Sequence, residues 1–463
     1  MALDEILAHK RIEVAAREQA HPLASFQAAL SPSDRSLERA LRRPRTGFIL
    51  ECKRASPSQG EIRGDLDLDT VASAYGPHAD AISVLTDERF FGGSFEHLRS
   101  LRQRVHQPVL CKDFILGPYQ VYEARKHGAD AVLLMLSVLS DHEYRDCHAA
   151  ATSLDVDVVT EVHTEQELAR AQTLEARIIG INNRDLTTLA VDLGVTERLA
   201  PRLKGSEVVI AESGIGSHRD VQRLRPLVDG FLVGTSLMRQ ADLGHATREL
   251  VFGTTKICGL TLPEDAVSAH ALGATHGGMI FAGESPRCIA PHAASRLRQA
   301  APLQWVGVFV NVGVEQVAAI AESLDLAAVQ LHGEESIEEI RALRERFAGR
   351  REVWKAIRVM NSVPRVAETG ADRLVLDAHS SGARGGTGRR FNWALVNDHP
   401  DLHRMLLGGG LAPQSVPAAV AVGTWGLDVN SGVERSPGRK DPAKLAALFE
   451  ARRGHGRDRR RVR

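Results

Sequence analysis

The residues with the clearest potential for chemistry are lysines and carboxylates that stand where short apolar segments end. In the first half of the chain these polar positions are Glu51, Lys53, Lys112, Glu161, Asn182, Glu212 and Ser213. Lysines and carboxylates held close together shift one another's pKa towards values useful for proton transfer. One charged residue at a strand end is usually solvated or ion-paired, so the prediction rests on several such groups converging. Glu212 could equally serve only to orient a lysine.

A second set of polar residues ends apolar segments in the other half of the chain. Its members are Cys258, His332, Asp377, Asp428 and Asn430. A thiolate facing a carboxylic acid could remove and deliver a proton, which makes Cys258 and Asp377 a candidate pair. A lone cysteine on an apolar strand is more commonly a small buried hydrophobe, so both interpretations stay open. His332 and Asp428 are too isolated to indicate a metal, and positioning or packing is the simpler interpretation.

Glycine-containing turns in both halves predict phosphate binding. In the first half these are "ESGIGS" (212–217) and "GTSLM" (234–238), and in the second "GGTG" (385–388), "GGGL" (408–411) and "NSGVE" (430–434). Backbone N–H groups of such loops, and of short helix N-termini, bind phosphate in barrel enzymes. A glycine pair alone marks a turn more often than a ligand site, but paired loops in both halves favour phosphate.

The polar residues and glycine turns described above follow short segments rich in β-branched residues. These segments alternate with segments whose apolar residues recur at helical spacing. Eight of the β-branched segments lie between residues 46 and 234, from "GFILECK" to "GFLVG", and eight more between residues 255 and 430, from "TKICGL" to "WGLDVN". Continuous apolar strands alternating with helices predict a parallel sheet covered on both faces. Eight units per half favour an α/β fold of two tandem (β/α)₈ TIM barrels over doubly wound open sheets, which the sequence alone does not exclude. Catalytic groups of such barrels lie at the carboxyl ends of strands.

Chain length and this repeat predict two domains. A chain of 463 residues is too long for one core, because single cores stop growing near ~250–300 residues. We predict one barrel over residues 1–254, a second over 255–452, and a basic disordered tail over 453–463. Apolar positions at helical spacing in residues 3–20 predict an extra N-terminal helix, which either caps the barrel or covers its mouth.

Charge and cysteine content exclude several classes of protein. The formal net charge is 0, and residues 452–463 contain seven Arg, one Asp and no aromatic residue. Such a run is a solvated end rather than a nucleic-acid surface. Five cysteines without a C-x-x-C pair argue against disulfides and zinc, and predict a cytoplasmic protein. No segment approaches the ~20 apolar residues that a membrane span needs.

Longer segments resemble two known enzyme families. The first half resembles indole-3-glycerol-phosphate synthases through "FILECKRASPSQG" (48–60), "ISVLTDERFFGGS" (82–94), "VLCKDFI" (109–115), "GINNRDL" (180–186) and "AESGI" (211–215). The second half resembles phosphoribosylanthranilate isomerases through "KICGLT" (256–261), "FAGESPR" (281–287), "VGVFVN" (306–311), "VQLHG" (329–333) and "GGTGRRFNW" (385–393). The resemblance covers nearly all of residues 1–450. It implies two barrel enzymes of tryptophan synthesis, fused as in bifunctional bacterial enzymes.

The resemblance implies specific roles in the first half. Lys112 would be the general acid for ring closure, Lys53 would assist closure, orient the substrate carboxylate and help dehydration, and Glu161 would be the base that completes rearomatisation. Glu51 and Asn182 would position hydroxyl groups. The residues implied in substrate carboxylate or phosphate binding are Ser56, Arg184, Glu212, Ser213, Gly214, Gly234 and Ser236. The implied reaction converts 1-(2-carboxyphenylamino)-1-deoxyribulose 5-phosphate to indole-3-glycerol phosphate, carbon dioxide and water.

In the second half the resemblance implies an Amadori rearrangement of N-(5′-phosphoribosyl)anthranilate. Cys258 would be the general base and Asp377 the general acid, while Arg287 would bind the anthranilate carboxylate, which suits a bidentate guanidinium. The other implied binding residues are His332, Gly386, Gly388, Gly409, Gly410, Asp428, Ser431 and Gly432. Asn392 stands where the family commonly has Asp, and Gly408 where it has Ala. Neither departure removes a catalytic group.

Neither implied reaction requires redox chemistry, and the sequence contains no nucleotide fingerprint, so we predict no cofactor and no metal. The predicted partners are phosphorylated anthranilate–ribose intermediates, without nucleic acid or membrane, and we expect a monomer. Two alternatives remain open from the residues alone. One is an aldolase-like barrel with a Schiff base on Lys53 or Lys112, and the other is a non-catalytic phosphate-sugar sensor or scaffold.

Overall fold

Each half of the chain closes its eight predicted strands into a barrel. The structure, a computed structural model, describes residues 3–57, 59–203, 205–378 and 391–457. These residues form two compact units, one containing the chain up to Leu250 and the described residues from His455 onwards, the other containing Val251–Gly454. Both units are closed barrels, so the predicted fold of two tandem (β/α)₈ barrels is confirmed.

The first barrel is a ring of eight parallel strands in chain order. They are β1 (Gly47–Cys52), β2 (Ala81–Leu85), β3 (Val109–Lys112), β4 (Ala131–Met135), β5 (Asp157–Val162), β6 (Ile178–Asn182), β7 (Val208–Glu212) and β8 (Gly230–Val233). The ring closes where Gly47 of β1 pairs with Gly230 of β8. Its interior is filled by apolar side chains of the strands, including Ile49 and Val159, and Leu41 packs against this core from a short helix. The barrel is therefore a packed core rather than a channel.

Helices alternate with these strands, and their starts are fixed by capping residues. They are α1 (Leu3–Ala20), α2 (Leu37–Leu41), α3 (Leu68–Tyr75), α4 (Glu88–Phe91), α5 (Phe95–Arg104), α6 (Pro118–Lys126), α7 (Asp141–Thr152), α8 (Glu165–Thr173), α9 (Gly194–Leu199), α10 (His218–Leu224), α11 (Thr235–Met238) and α12 (Leu243–Phe252). Ser140 and Glu143 form a capping box at α7, which satisfies two N–H groups that the helix leaves free. The predicted N-terminal helix is confirmed as α1.

The second barrel repeats this architecture. Its strands are β9 (Thr254–Ile257), β10 (His276–Ile280), β11 (Gln304–Phe309), β12 (Ala328–Leu331), β13 (Glu352–Val359), β14 (Arg373–Ala378), β15 (Met405–Leu407) and β16 (Gly426–Val429). Its helices are α13 (Pro263–Leu272), α14 (Pro291–Ala300), α15 (Val314–Ser323), α16 (Ile337–Phe347), α17 (Val366–Thr369), α18 (Val416–Ala421) and α19 (Pro442–Arg453). The ring closes where Thr254 pairs with Gly426. None of the helices in the described ranges has the length and hydropathy that a membrane crossing requires.

The end of the chain is ordered further than the sequence predicts. Disorder is expected over residues 453–463, but Arg453 is the last residue of α19 and is buried. Arg457 is also buried, and its backbone N–H donates to the Val228 carbonyl at 2.8 Å. Its guanidinium donates to the Leu203 carbonyl at 3.4 Å. The charge pattern predicts that Arg457 is solvated, but it is bound to carbonyl groups of the first unit. The predicted disorder is therefore wrong for residues 453–457.

Candidate active sites

A cavity of about 520 Å³ lies at the carboxyl ends of the first barrel's strands. It is lined by eleven of the twelve residues predicted for this half, namely Glu51, Lys53, Ser56, Lys112, Glu161, Asn182, Arg184, Ser213, Gly214, Gly234 and Ser236. The twelfth, Glu212, is fully buried and contacts Lys112. The structure therefore brings together the side chains that the strand-end pattern predicts at one mouth.

Two lysines and two carboxylates form a connected group in this cavity. The Lys112 ammonium lies 3.3 Å from a Glu51 oxygen and 3.3 Å from a Glu212 oxygen. The other Glu51 oxygen lies 2.5 Å from the Lys53 ammonium. Both carboxylates are almost completely buried, and buried charges are stable only when paired in this way. Glu51 and Glu212 thus hold Lys112 between them.

Two glycines make room for these carboxylates. A Cβ added to Gly180 would lie 2.0 Å from a Glu212 oxygen, and a Cβ added to Gly234 would lie 2.2 Å from a Glu51 oxygen. Real Cβ atoms do not approach other atoms so closely, so any larger residue would displace the carboxylate. Gly234 was expected only to bind phosphate, but glycine is also required at this position to leave space for the Glu51 carboxylate.

The ion pairs set the charge states of this group. Burial raises the pKa of Glu51, but the Lys53 and Lys112 ammoniums lower it by more than that, so the pKa falls to about 2. Burial lowers the pKa of Lys112, but Glu51 and Glu212 raise it well above the usual value. Burial raises the pKa of Glu212 to about 7 against the opposing effect of Lys112. Lys112 is therefore an ammonium at neutral pH, which suits a proton donor and disfavours a Schiff base, because imine formation needs the free amine.

Glu161 has a histidine neighbour that the sequence pattern does not predict. The His163 ring lies 3.3 Å from a Glu161 oxygen and 3.3 Å from a Glu167 oxygen. Burial lowers the pKa of His163, but these two carboxylates raise it to about 10. The Asn182 side-chain oxygen accepts the Arg184 backbone N–H at 3.0 Å, and Asn182 is a further cause that lowers the pKa of Glu161. The His163 cation therefore stabilises the ionised form of Glu161, and Asn182 adds to this effect.

The loops after β7 and β8 meet at the mouth of the first barrel. Ser213 and Gly214 adopt left-handed φ angles of 63° and 81°. The Ser236 hydroxyl donates to the Ile215 carbonyl at 2.9 Å, which joins the two loops. Ser213 and Gly214 turn the chain sharply after β7, and both line the cavity.

The N-terminal helix α1 contributes directly to this mouth. Ile6 lines the cavity, so of the two positions that the sequence leaves open, the structure supports the one at the mouth. Lys10 of the same helix is fully buried, with its ammonium 2.8 Å from an Asp87 oxygen and 2.9 Å from an Asp113 oxygen. Because Asp113 directly follows Lys112, the ion pair between Lys10 and Asp113 joins helix α1 to the end of β3, where Lys112 lies.

In the second barrel, the predicted base and acid both lie at the carboxyl ends of strands. Cys258 follows β9, where its backbone N–H donates to the Val429 carbonyl at 2.8 Å. Asp377 lies near the end of β14, where one of its oxygens accepts the Ala378 backbone N–H at 2.8 Å. Cys258 is only 4% exposed, and burial is the largest cause that raises the pKa of its thiol.

A continuous row of polar side chains runs from Asp377 towards β9. His332 Nε2 lies 3.5 Å from an Asp377 oxygen, and the Gln330 amide donates to His332 Nδ1 at 3.0 Å. Gln330 in turn accepts a hydrogen bond of 2.9 Å from Lys256, which also donates to Asp428 at 2.9 Å. The predicted binding residues His332 and Asp428 are therefore members of one network, while Gln330 and Lys256 are members that sequence reasoning missed.

Arg287 is already paired in this structure. Its guanidinium donates in a bidentate manner to Glu434, with the shortest distance 2.7 Å, and Lys440 donates to the same carboxylate at 2.8 Å. All three residues are buried. Glu434 belongs to the "NSGVE" segment, but neither it nor Lys440 was predicted as a partner of Arg287.

The glycine loops of the second barrel pack closely at the same end. Gly409 and Gly410 adopt left-handed φ angles of 75° and 65°. A Cβ added to Gly432 would lie 1.8 Å from the Leu411 carbonyl oxygen, so the loops after β15 and β16 can meet only with glycine there. Ser431 begins a 3₁₀ turn, Ser431–Val433, in the loop after β16. The predicted Gly386 and Gly388 lie outside the described residues.

Two closed barrels, each with acid–base side chains and paired glycine loops at the carboxyl ends of its strands, define a protein with two (β/α)₈ enzyme domains. The family model for indole-3-glycerol phosphate synthase matches residues 3–250, and that for N-(5′-phosphoribosyl)anthranilate isomerase matches residues 255–451. The chain belongs to the family of bifunctional enzymes that join these two activities. It is therefore both a lyase and an isomerase of tryptophan biosynthesis, and its substrates are phosphorylated intermediates.

Curated relatives have the same two-part organisation. The tryptophan biosynthesis protein TrpCF of Vibrio cholerae is 49% identical over 439 residues, which cover 95% of this chain and 93% of that protein. The TrpCF protein of Salmonella typhi is 47% identical over 453 residues, covering 98% and 99% of the two chains. Among solved structures, phosphoribosylanthranilate isomerase from Thermus thermophilus is 36% identical, with a TM-score of 0.39, and covers 43% of this chain and 97% of that chain.

Proposed function

We propose that Lys112, Lys53 and Glu161 carry out the synthase reaction and that Cys258 and Asp377 carry out the isomerase reaction. The second barrel converts N-(5′-phosphoribosyl)anthranilate to 1-(2-carboxyphenylamino)-1-deoxyribulose 5-phosphate, and the first converts that product to indole-3-glycerol phosphate. The observation that carries the proposal is the first-barrel cavity, in which both lysines and Glu161 face one space beside the loops after β7 and β8.

In the synthase reaction, Lys112 donates a proton to the ketone oxygen while the aromatic ring attacks the ketone carbon. An ammonium held by Glu51 and Glu212 is charged before substrate arrives, so the proton is in place for ring closure, and Lys112 regains a proton before the next cycle. Lys53 assists closure, orients the carboxylate that leaves as carbon dioxide, and helps the loss of water. Glu161 then removes the ring proton and restores aromaticity, which requires an ionised carboxylate.

His163→Gln is expected to move the acid limb of the synthase pH profile to higher pH. Burial raises the pKa of Glu161, and the hydrogen bond and charge of His163 are the main causes that lower it overall. Without that cation the Glu161 pKa rises, by about 1–3 units for an ion-pair partner, and a base is lost as pH falls through its pKa. Synthase kcat measured against pH tests this, with isomerase kcat in the same chain as control. An unmoved acid limb would contradict it.

In the isomerase reaction, Asp377 protonates the ribose ring oxygen as the C1′–O bond breaks, which leaves a protonated imine between C1′ and the anthranilate nitrogen. Cys258 then removes the C2′ proton, and the resulting enolamine becomes the aminoketone by gaining a proton at C1′. Arg287 supplies charge for the anthranilate carboxylate while Glu434 fixes the plane of its guanidinium. The phosphate is bound by backbone N–H groups of the loops containing Gly409, Gly410, Ser431 and Gly432. His332 and Asp428 position the acid and the neighbouring network rather than react.

We expect both activities to survive exhaustive chelation, because the proposed steps need only protein acids, bases and anion-binding loops. Within the described ranges, no group of three or more His, Cys, Asp or Glu is placed to hold a metal ion. The measurement is turnover of each phosphorylated intermediate before and after treatment with chelator followed by desalting. Loss of either activity that added divalent metal restores would require a metal in the mechanism.

A direct assay separates an enzyme from a phosphate-sugar sensor. The purified chain is given N-(5′-phosphoribosyl)anthranilate, and indole-3-glycerol phosphate is followed by its fluorescence. Formation of the indole product supports the two-step proposal, and binding without turnover supports a sensor. Borohydride trapping of a substrate imine on Lys53 or Lys112 would instead support the aldolase-like alternative.

We also propose that the two activities divide at residues 254 and 255 and that the chain acts as a monomer in the cytoplasm. The five free cysteines support a reducing compartment. Sedimentation of the intact protein tests the monomer. Lys112→Ala and Cys258→Ala, each expected to silence one activity and spare the other, test whether the two activities belong to separate barrels.

A further inference from the structure

We propose that Lys440 is a specificity-determining residue of the isomerase, whose ammonium gives the buried Arg287–Glu434 pair the net positive charge needed to bind the carboxylate of the substrate. The inference deepens the proposed isomerase function and rests on it for the identity of that substrate. It explains how Arg287 can bind a second carboxylate while it stays bound to Glu434.

A short hairpin that follows β16 brings Lys440 against Glu434. Its two antiparallel strands are Glu434–Ser436 and Arg439–Lys440, and Glu434 and Lys440 are directly opposite each other in them. The Lys440 ammonium donates to Glu434 Oε1 at 2.8 Å, and the same oxygen accepts the Gly438 backbone N–H at 3.2 Å. Opposite side chains of an antiparallel pair are close enough to interact, so the fold of the hairpin brings these two charges together.

Glu434 binds only one edge of the Arg287 guanidinium. Arg287 Nε donates to one Glu434 oxygen at 3.0 Å, and Nη2 donates to the other at 2.7 Å. A guanidinium has five N–H donors, and none of the described residues accepts a hydrogen bond from Arg287 Nη1. The edge formed by Nη1 and Nη2 is therefore open to a second carboxylate, which can also bind in a bidentate manner.

The charge of the cluster decides whether that second carboxylate is attracted. A guanidinium paired with one carboxylate is neutral overall, whereas Arg287, Glu434 and Lys440 together contain two cations and one anion. Lys440 is fully buried, and besides Glu434 it donates to Asn430 Oδ1 at 3.1 Å and to the Asn430 carbonyl at 3.5 Å. Three oxygen acceptors match the three hydrogens of an ammonium. The substrate carboxylate therefore meets a net positive charge and becomes the second anion of the cluster.

The cluster lies beside the proposed base. A Cβ added to Gly259, which directly follows Cys258, would lie 2.6 Å from Arg287 Cδ and 2.8 Å from Asn430 Oδ1. The nearby Asp265 carboxylate accepts the Lys440 backbone N–H at 2.9 Å, so it holds the hairpin strand rather than the ammonium. A substrate whose carboxylate is bound by Arg287 is thus anchored next to the residue proposed to remove its proton.

A purely structural Lys440, serving only to hold the hairpin together, would give a different result when removed. Its loss would weaken the binding of every isomerase ligand alike, because the whole mouth would be less well ordered. Loss of a charge that attracts the carboxylate would instead weaken only those ligands that have one. Two unreactive inhibitors separate these roles, namely the isomerase product with its ketone reduced to an alcohol, and the same molecule without the carboxylate on its phenyl ring.

The experiment uses the full-length protein and measures the inhibition constant of each inhibitor from the consumption of N-(5′-phosphoribosyl)anthranilate. In Lys440→Met and Lys440→Gln we expect the inhibition constant of the carboxylated inhibitor to rise by about 10–100-fold, as is typical for removal of one charge near a partly buried partner. The inhibition constant of the inhibitor without the carboxylate should change little. Lys440→Gln retains an amide donor for Glu434 and guards against misfolding of the methionine variant.

Two further variants make the result specific to charge. Glu434→Gln combined with Lys440→Gln leaves Arg287 as the single charge of the cluster, so the preference for the carboxylated inhibitor should return. Lys444→Met is the matched control, because Lys444 is exposed and donates to the Glu434 backbone carbonyl at 2.7 Å. It should leave the ratio of the two inhibition constants unchanged.

Three results would overturn the inference. They are an unchanged ratio of the two inhibition constants in folded Lys440 variants, an equal change of this ratio in Lys444→Met, and no recovery of the preference in the double variant. Absence of isomerase turnover in the unsubstituted protein would instead contradict the proposed function itself.

Discussion

Lys112→Ala is expected to lower synthase turnover by about 10²–10⁴-fold, as is typical for loss of a general acid, and to leave isomerase turnover unchanged. The substitution removes the ammonium held between Glu51 and Glu212, and no proton then reaches the ketone oxygen during ring closure. The two activities are measured separately, by formation of indole-3-glycerol phosphate from its direct precursor and by consumption of N-(5′-phosphoribosyl)anthranilate.

Two further variants make the Lys112 result specific. Lys112→Met retains the apolar part of the side chain and so preserves packing in the barrel. Lys126→Ala removes an exposed lysine from α6 and should leave both reactions unaffected. Normal synthase turnover in Lys112→Met would assign the acid to another group, and loss of both reactions in a folded variant would show that the barrels do not act independently.

Cys258→Ala and Asp377→Val are each expected to lower isomerase turnover by about 10²–10⁴-fold and to spare the synthase. The first removes the proposed base and the second the proposed acid, at the carboxyl ends of β9 and β14 respectively. The assay is consumption of N-(5′-phosphoribosyl)anthranilate, while ring closure of the second intermediate reports on the first barrel.

The isomerase result has its own controls. Cys288→Ala removes the exposed thiol of the same unit and should leave both reactions unchanged. Asp377→Asn preserves the size of the side chain and its contact with the Ala378 N–H, so a loss equal to that of Asp377→Val would identify the proton as the essential feature. Full isomerase activity in Cys258→Ala would eliminate the thiol as the base.

All sixteen barrel strands could be predicted from sequence because parallel strands buried on both faces consist of continuous apolar residues. The segment Val208–Glu212, for example, is buried at every position. The same regularity predicted the site. Once the strands are assigned, their carboxyl ends must form one rim, so Lys112 and Glu212 are predicted at the same mouth although 100 positions separate them, and the structure shows that they are in contact.

The partners of the site residues could not be predicted, because they depend on packing between distant segments. Lys10 is one charge among many on α1, and only tertiary structure buries it against Asp87 and Asp113. Arg287 and Glu434 are 147 positions apart. Both lie outside the barrel strands, so the strand pattern does not predict that they meet. The sequence therefore predicted which polar groups gather at the mouth better than it predicted the groups that hold them.

Because Arg457 is translated after the second barrel, the first barrel depends on a residue that is synthesised late. Its backbone N–H and guanidinium are bound to carbonyls of Val228 and Leu203 in the first unit, although the whole second barrel lies between them in the chain. A ribosome releases the N-terminal domain first, at about 5–20 residues per second. These hydrogen bonds of the first barrel can therefore form only after residue 457 has been translated, when all strands of the second barrel have already been synthesised.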